Sequence, residues 1–154
     1  MDSRQKKALY DGLAVRLQQE FAQARDRVAR MATAAAILHR QLDHVFWAGF
    51  YLLVDGELIV GPYQGAPACV ILEKHTGVCW AAIDRDETIY VPNVHEFEGH
   101  IQCEGPSNSE IAVPFHGPGG RPSGVLHLDS ADFDAFDEID MRAIEELAAM
   151  FDNP

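Results

Sequence analysis

At 154 residues with 47% hydrophobic content, the chain can build one well-buried core and is too short for two ordinary domains. Its net charge of -12 argues against binding a phosphate backbone, because nucleic-acid readers cluster Lys and Arg on one face. No apolar run approaches the roughly 18 residues of a membrane span, and Met1 to Lys7 leads into a polar helical pattern rather than a signal-peptide core. The protein is expected to be soluble and cytoplasmic, with neither nucleic acid nor membrane as partner.

From Ser3 to Leu42 the sequence is rich in Ala, Leu, Gln, Arg and Lys, lacks Pro and is interrupted only by Gly12, which favours helix. Val28, Met31, Ala35 and Leu38 recur at three- and four-residue spacing and predict one core-facing stripe. At Val45 the pattern changes: Phe46, Ala48, Phe50 and Leu52 alternate with Trp47, Gly49, Tyr51 and Leu53, and both sets are largely apolar, as in a strand covered on both faces. Asp55-Gly56 marks a hairpin turn into a strand from Leu58 to Tyr63. A short strand is predicted from Cys69 to Leu72, a short helix from Gly77 to Ile83, and a strand from Ile89 to Val91 stopped by Pro92.

Asn93 to Ser109 shows no period, and irregular segments of that length in compact domains are usually functional or disordered. Strands follow at Ile111–Phe115 and Gly124–Leu128, and an acidic-started helix at Asp137–Phe151. Helices flanking a mainly antiparallel sheet make an α+β domain.

Three chemistry-bearing features stand out. The aperiodic segment carries Cys103 in a histidine-bearing loop, seven residues before Glu110. Cys69 and Cys79 lie upstream, and an odd cysteine count speaks against a structural disulfide framework and for free catalytic or metal-binding thiols. An attacking thiol, a candidate resolving thiol and a proton source are the minimum parts for thiol redox chemistry. On pattern alone, Cys69 and Cys79 read equally as packing residues, and Trp47 and Tyr51 as core aromatics. No Cys-x2-Cys pair supports structural zinc, and Asp132, Asp134, Asp137 and Asp140 lack the glycine and terminal glutamate of a calcium loop, so no metal is expected. Those aspartates are expected to solvate the start of the last helix.

Trp47-Ala48-Gly49-Phe50-Tyr51, Gly61-Pro62-Tyr63-Gln64-Gly65, Ala68-Cys69, Gly77-Val78-Cys79, Val94-His95, Gly99-His100-Ile101-Gln102-Cys103, Ser107-Asn108-Ser109-Glu110-Ile111 and Gly124-Val125-Leu126-His127-Leu128-Asp129-Ser130 resemble the free methionine-(R)-sulfoxide reductase family, which are single GAF domains. The resemblance implies one GAF domain over residues 1–154, with an N-terminal helical segment (1–42) and a core (45–151).

It also implies a mechanism. Cys103 matches the catalytic cysteine that attacks the sulfoxide sulfur and is left as a sulfenic acid. Cys69 matches the resolving position that converts this to a disulfide, and thioredoxin or another external dithiol then reduces it, with no bound cofactor. Cys79 matches a candidate third redox cysteine. Glu110 and Asp129 match acidic pocket residues suited to protonating the sulfoxide oxygen. Trp47 and Tyr51, four apart on one strand face, would wall the pocket around the methyl-thioether. A homodimer is compatible with this picture.

Three positions depart from the family pattern. His127 stands where an acid is usual, sharing a face with Asp129 and joining the substrate-binding set. Glu104 replaces an Asp after the catalytic cysteine, and Trp80 replaces a Gly after Cys79, where it is expected to restrain that segment. The His127 change motivates an alternative function, a non-catalytic GAF sensor binding a small amino acid or related metabolite.

Overall fold

The computed structural model describes residues 1–101, 103 and 105–153. The Glu104 departure lies outside them. Among the described residues, two N-terminal helices, α1 (Ser3–Phe21) and α2 (Arg27–Gln41), precede the hairpin β1 (Trp47–Val54) and β2 (Glu57–Gln64) and the short β3 (Ile71–Leu72). Then follow α3 (Gly77–Arg85), β4 (Ile89–Val91), β5 (Ser109–His116), β6 (Pro122–Ser130) and α4 (Glu138–Ala149). The six strands form one sheet in the order β3-β2-β1-β6-β5-β4, with every neighbour antiparallel. The expected α+β architecture is therefore present, and no described helix is long and apolar enough to cross a membrane.

The period-2 alternation of the central strands divides the core into two layers. Ala48, Phe50, Ile111, Val113, Phe115, Leu126 and Leu128 face α1, α2 and α4. Trp47, Tyr51, Ala112 and Val125 face the other way, toward α3 and its flanking loops. A strand such as β1 has to be apolar on both sides because both sides are covered.

The helices start where the sequence supplies caps. Asp2 and Asp137 each form a capping box, and Asp26 accepts from the Ala29 amide. Gly12 is absorbed within α1. Two expectations are corrected. Val28 is 62% exposed, and the buried stripe of α2 is Met31, Ala34, Ala35, Ile37 and Leu38, because the first turn overhangs the core. Asp140 is fully buried rather than solvated: its carboxylate takes a 2.6 Å hydrogen bond from the Tyr10 hydroxyl and pairs with Lys6 Nζ at 2.7 Å, tying α4 to α1.

Among its described residues, the aperiodic segment is irregular up to Asn108 apart from a short 3₁₀ turn at Val94–Glu96, and Ser109 already belongs to β5. It is anchored at both ends, since the Val94 amide donates to the Asn108 carbonyl and the Asn108 side chain donates to the Ala131 carbonyl. One glycine matters to the packing beneath it. A Cβ at Gly49 would overlap Tyr63 Cβ and come within 2.9 Å of the Trp47 ring, so glycine here lets Trp47 stack on Tyr63 at 5.2 Å.

Candidate active site

Sheet register builds the floor of the site. Across three adjacent strands, Trp47 of β1 pairs with Asp129 of β6, and Asp129 pairs with Glu110 of β5. His127 lies two residues back along β6, opposite Gly49 on one side and Ala112 on the other, so it shares the face of Asp129. Antiparallel pairing thus assembles four side chains that are as much as 82 positions apart in sequence, from Trp47 to Asp129.

The walls come from α3 and the loops. Trp47, Tyr51, Cys79, His100, Cys103, Ser107, Glu110, His127 and Asp129 all line one small cavity of about 50 Å³. Every site residue expected from the sequence lies here except Cys69, which is bound to Cys103 as a disulfide at the cavity's edge, with a Cα–Cα distance of 5.5 Å. The Tyr51 hydroxyl donates to the Cys69 carbonyl at 3.1 Å, fastening the Cys69 segment to the aromatic wall. Trp47 stacks on Tyr51 at 6.0 Å and tilts against His127 at 5.6 Å.

Two residues outside the expected site set complete the polar network. His100 Nε2 lies 2.8 Å from Glu110 Oε1, and the Ser107 hydroxyl donates to that same oxygen at 2.8 Å. The sequence offered one signal for His100, its place in the Cys103 loop, but nothing to separate it from His95. The latter contacts Asn108 at 2.9 Å and only braces the loop.

The electrostatics distinguish the two carboxylates. Burial alone would raise Glu110, yet hydrogen bonding to His100 and the charge of His127 hold it below the usual carboxylate range. Asp129 goes the other way: burial, with the Glu110 charge adding to it, pushes its carboxyl up to about 6 against the opposing pull of His127. For His127, burial favours the neutral ring, but Asp129 at 2.7 Å and the Cys79 thiol outweigh it and hold the imidazole well above its ordinary value. The two carboxylates, neighbours across β5 and β6, are therefore shifted in opposite directions by their surroundings.

Cys79 is buried at the start of α3. Burial pushes its thiol up and the neighbouring His127 ring offsets this only in part. Trp80 is also buried, and its indole N–H donates to the Leu72 carbonyl at 3.4 Å, which fixes α3 against β3. One carboxylate oxygen each from Glu110 and Asp129 and a ring nitrogen of His127 lie within 4.8 Å of one another, a donor set of the kind that can hold a cation.

The helix-flanked antiparallel sheet and a pocket on its α3 face define a small-molecule-binding domain of the GAF class, and the GAF domain family model matches residues 22–150. Over 125 residues the chain is 39% identical to the free methionine-R-sulfoxide reductase of Escherichia coli, covering 81% of this chain and 75% of that one. It is 41% identical over 107 residues to the enzyme of the same name from Saccharomyces cerevisiae, covering 68% and 59%. The free methionine-R-sulfoxide reductase of Neisseria meningitidis, solved with its substrate, superposes with a TM-score of 0.89 at 38% identity, covering 95% of this chain and 87% of that one. Within the GAF domains, this chain belongs to the free methionine-R-sulfoxide reductase family.

Proposed function

We propose that the protein reduces free methionine-(R)-sulfoxide to methionine through a cysteine sulfenic acid and a Cys69–Cys103 disulfide. The observation that carries this is the disulfide itself: the two cysteines are joined at the rim of a cavity floored by Glu110, His127 and Asp129. A structural cross-link would have no need of a protonated, buried acid cluster beside it.

In the first step the Cys103 thiolate attacks the sulfoxide sulfur, forming an S–S bond, while the oxygen takes up one proton. The S–O and S–S bonds break as the hydroxyl passes to the Cys103 sulfur, so methionine leaves with its sulfur reduced by two electrons and Cys103 is oxidised to the sulfenic acid. Asp129, neutral up to about pH 6, and the imidazolium of His127 are the proton donors. Glu110, kept ionised by His100 and Ser107, offers a fixed negative charge for the substrate ammonium. Trp47 and Tyr51 enclose the methyl-thioether.

In the second step the Cys69 thiol displaces hydroxide from the sulfenic sulfur, giving the disulfide and water. A dithiol such as thioredoxin then reduces that disulfide and becomes oxidised itself. Cys79, buried beside His127, is given no step. Small-molecule sites usually enclose about 300 Å³ or more, so the cavity of about 50 Å³ belongs to the closed, oxidised end of the cycle, and reduction frees the two loop segments to admit substrate.

One equivalent of free methionine-(R)-sulfoxide added to reduced protein without a dithiol should release one methionine per chain, with peptide mapping placing the new disulfide between Cys69 and Cys103. Methionine release without that disulfide would refute the recycling step, and no release would refute the reading as a whole.

A further inference from the structure

We propose that the acid–imidazole cluster of this chain is a zinc site, formed by Glu110, His127 and Asp129 and lying within the substrate cavity. The inference does not depend on the sulfoxide chemistry, since it concerns what the cluster binds.

The first observation is charge. Two carboxylates face the cavity, and among its described lining residues there is neither Lys nor Arg to meet their charge. A divalent ion is the charge that two carboxylates match.

The second observation is orientation. His127 Nε2 and Asp129 Oδ1 are only 2.7 Å apart, yet Asp129 Oδ1 and the other ring nitrogen, Nδ1, are buried with no well-formed hydrogen-bond partner. His127 is 8% exposed in its side chain, so no bulk solvent satisfies these atoms. The contact is thus an ion pair without well-formed hydrogen-bond geometry, which a bound ion could replace.

The third is the support behind Glu110. His100 and Ser107 both engage Oε1, which leaves Oε2 facing His127 Nε2 at 3.8 Å. Outer-shell groups that grip one oxygen and aim the other are the usual companions of a ligating carboxylate. Zinc bonds of roughly 2.0 to 2.2 Å put tetrahedral ligands roughly 3.4 Å apart, and the observed separations of 2.7 and 3.8 Å bracket that spacing. A nitrogen donor with two carboxylates favours zinc over magnesium or calcium, which prefer oxygen alone. A metal held there and an amino acid bound to the same acids would exclude one another.

The test is calorimetric titration of Zn²⁺ into the oxidised protein, whose Cys69 and Cys103 are tied up as the disulfide and cannot ligate. Wild type should bind one zinc per chain and show no saturable binding of Mg²⁺. His127→Ala and Glu110→Gln, each checked for cooperative melting, should bind at least ten-fold more weakly. His116→Ala is the surface control, because His116 sits between Asp86 at 2.6 Å and Asp152 at 3.4 Å and offers an adventitious exposed site. That variant should bind as wild type does. Absence of saturable binding in wild type, undiminished affinity in either folded pocket variant, or loss of binding on His116→Ala would each overturn the assignment.

Discussion

In the proposed mechanism the chemistry turns on Asp129. Its carboxyl is pushed up to about 6, so the neutral, proton-donating form is present below that pH and is lost as pH rises through it. Thiol attack works in the opposite sense, because the thiolate is the nucleophile and is gained as pH rises. The product of the two fractions rises up to about pH 6 and then levels off. The single-turnover rate of methionine release from reduced protein should therefore break near pH 6. Asp129→Asn should slow that step by roughly 10²- to 10⁴-fold and remove the break, the rate then climbing until the thiol is ionised. A variant retaining the break would assign it to another group, His127 being the next candidate. The acidic-pocket role expected of Asp129 came from the family resemblance, and its shift could not be anticipated, because it arises from burial and from Glu110 on the neighbouring strand.

Between elements, the contact that joins the two ends of the chain is the Lys6, Tyr10 and Asp140 cluster. Asp140 has no exposed surface, and its charge is met by Lys6 at 2.7 Å and the Tyr10 hydroxyl at 2.6 Å. Removing the cation would leave a buried carboxylate with a single neutral donor besides its role in the α4 capping box. Lys6→Met should cost about 3 kcal/mol in equilibrium denaturation, whereas Lys7→Met, which breaks an exposed i,i+4 pair, should cost under about 1 kcal/mol. Equal losses would mean that the Asp140 cluster does not pin α1 to the domain. Asp140 shows why such contacts escape a sequence reading. In the run Asp132, Asp134, Asp137 and Asp140 nothing distinguishes the buried carboxylate from its neighbours until α1 is laid against α4. Val28 fails for a related reason: it has the spacing of the buried stripe but occupies a turn that projects past the sheet.

At the level of the whole molecule, the element order and the double covering of β1 were legible because alternation and turn residues are local signals. Eight short motifs in order then supplied the positions of the thiols and acids. Contacts made between strands and loops were not legible: the placing of Asp129 beside Glu110 and the grip of His100 and Ser107 on Glu110 depend on register and loop packing. The central claim joins these levels, since a sheet floor of acids, a loop nucleophile and a tethered resolving thiol together act as a stereoselective reductase. It is tested most directly by incubating the reduced protein with racemic free methionine sulfoxide and excess dithiol, and following both epimers chromatographically. The R epimer should be converted to methionine while the S epimer persists, and Cys103→Ser should convert neither. Failure of the wild-type protein to consume the R epimer, or equal turnover by Cys103→Ser, would contradict the account.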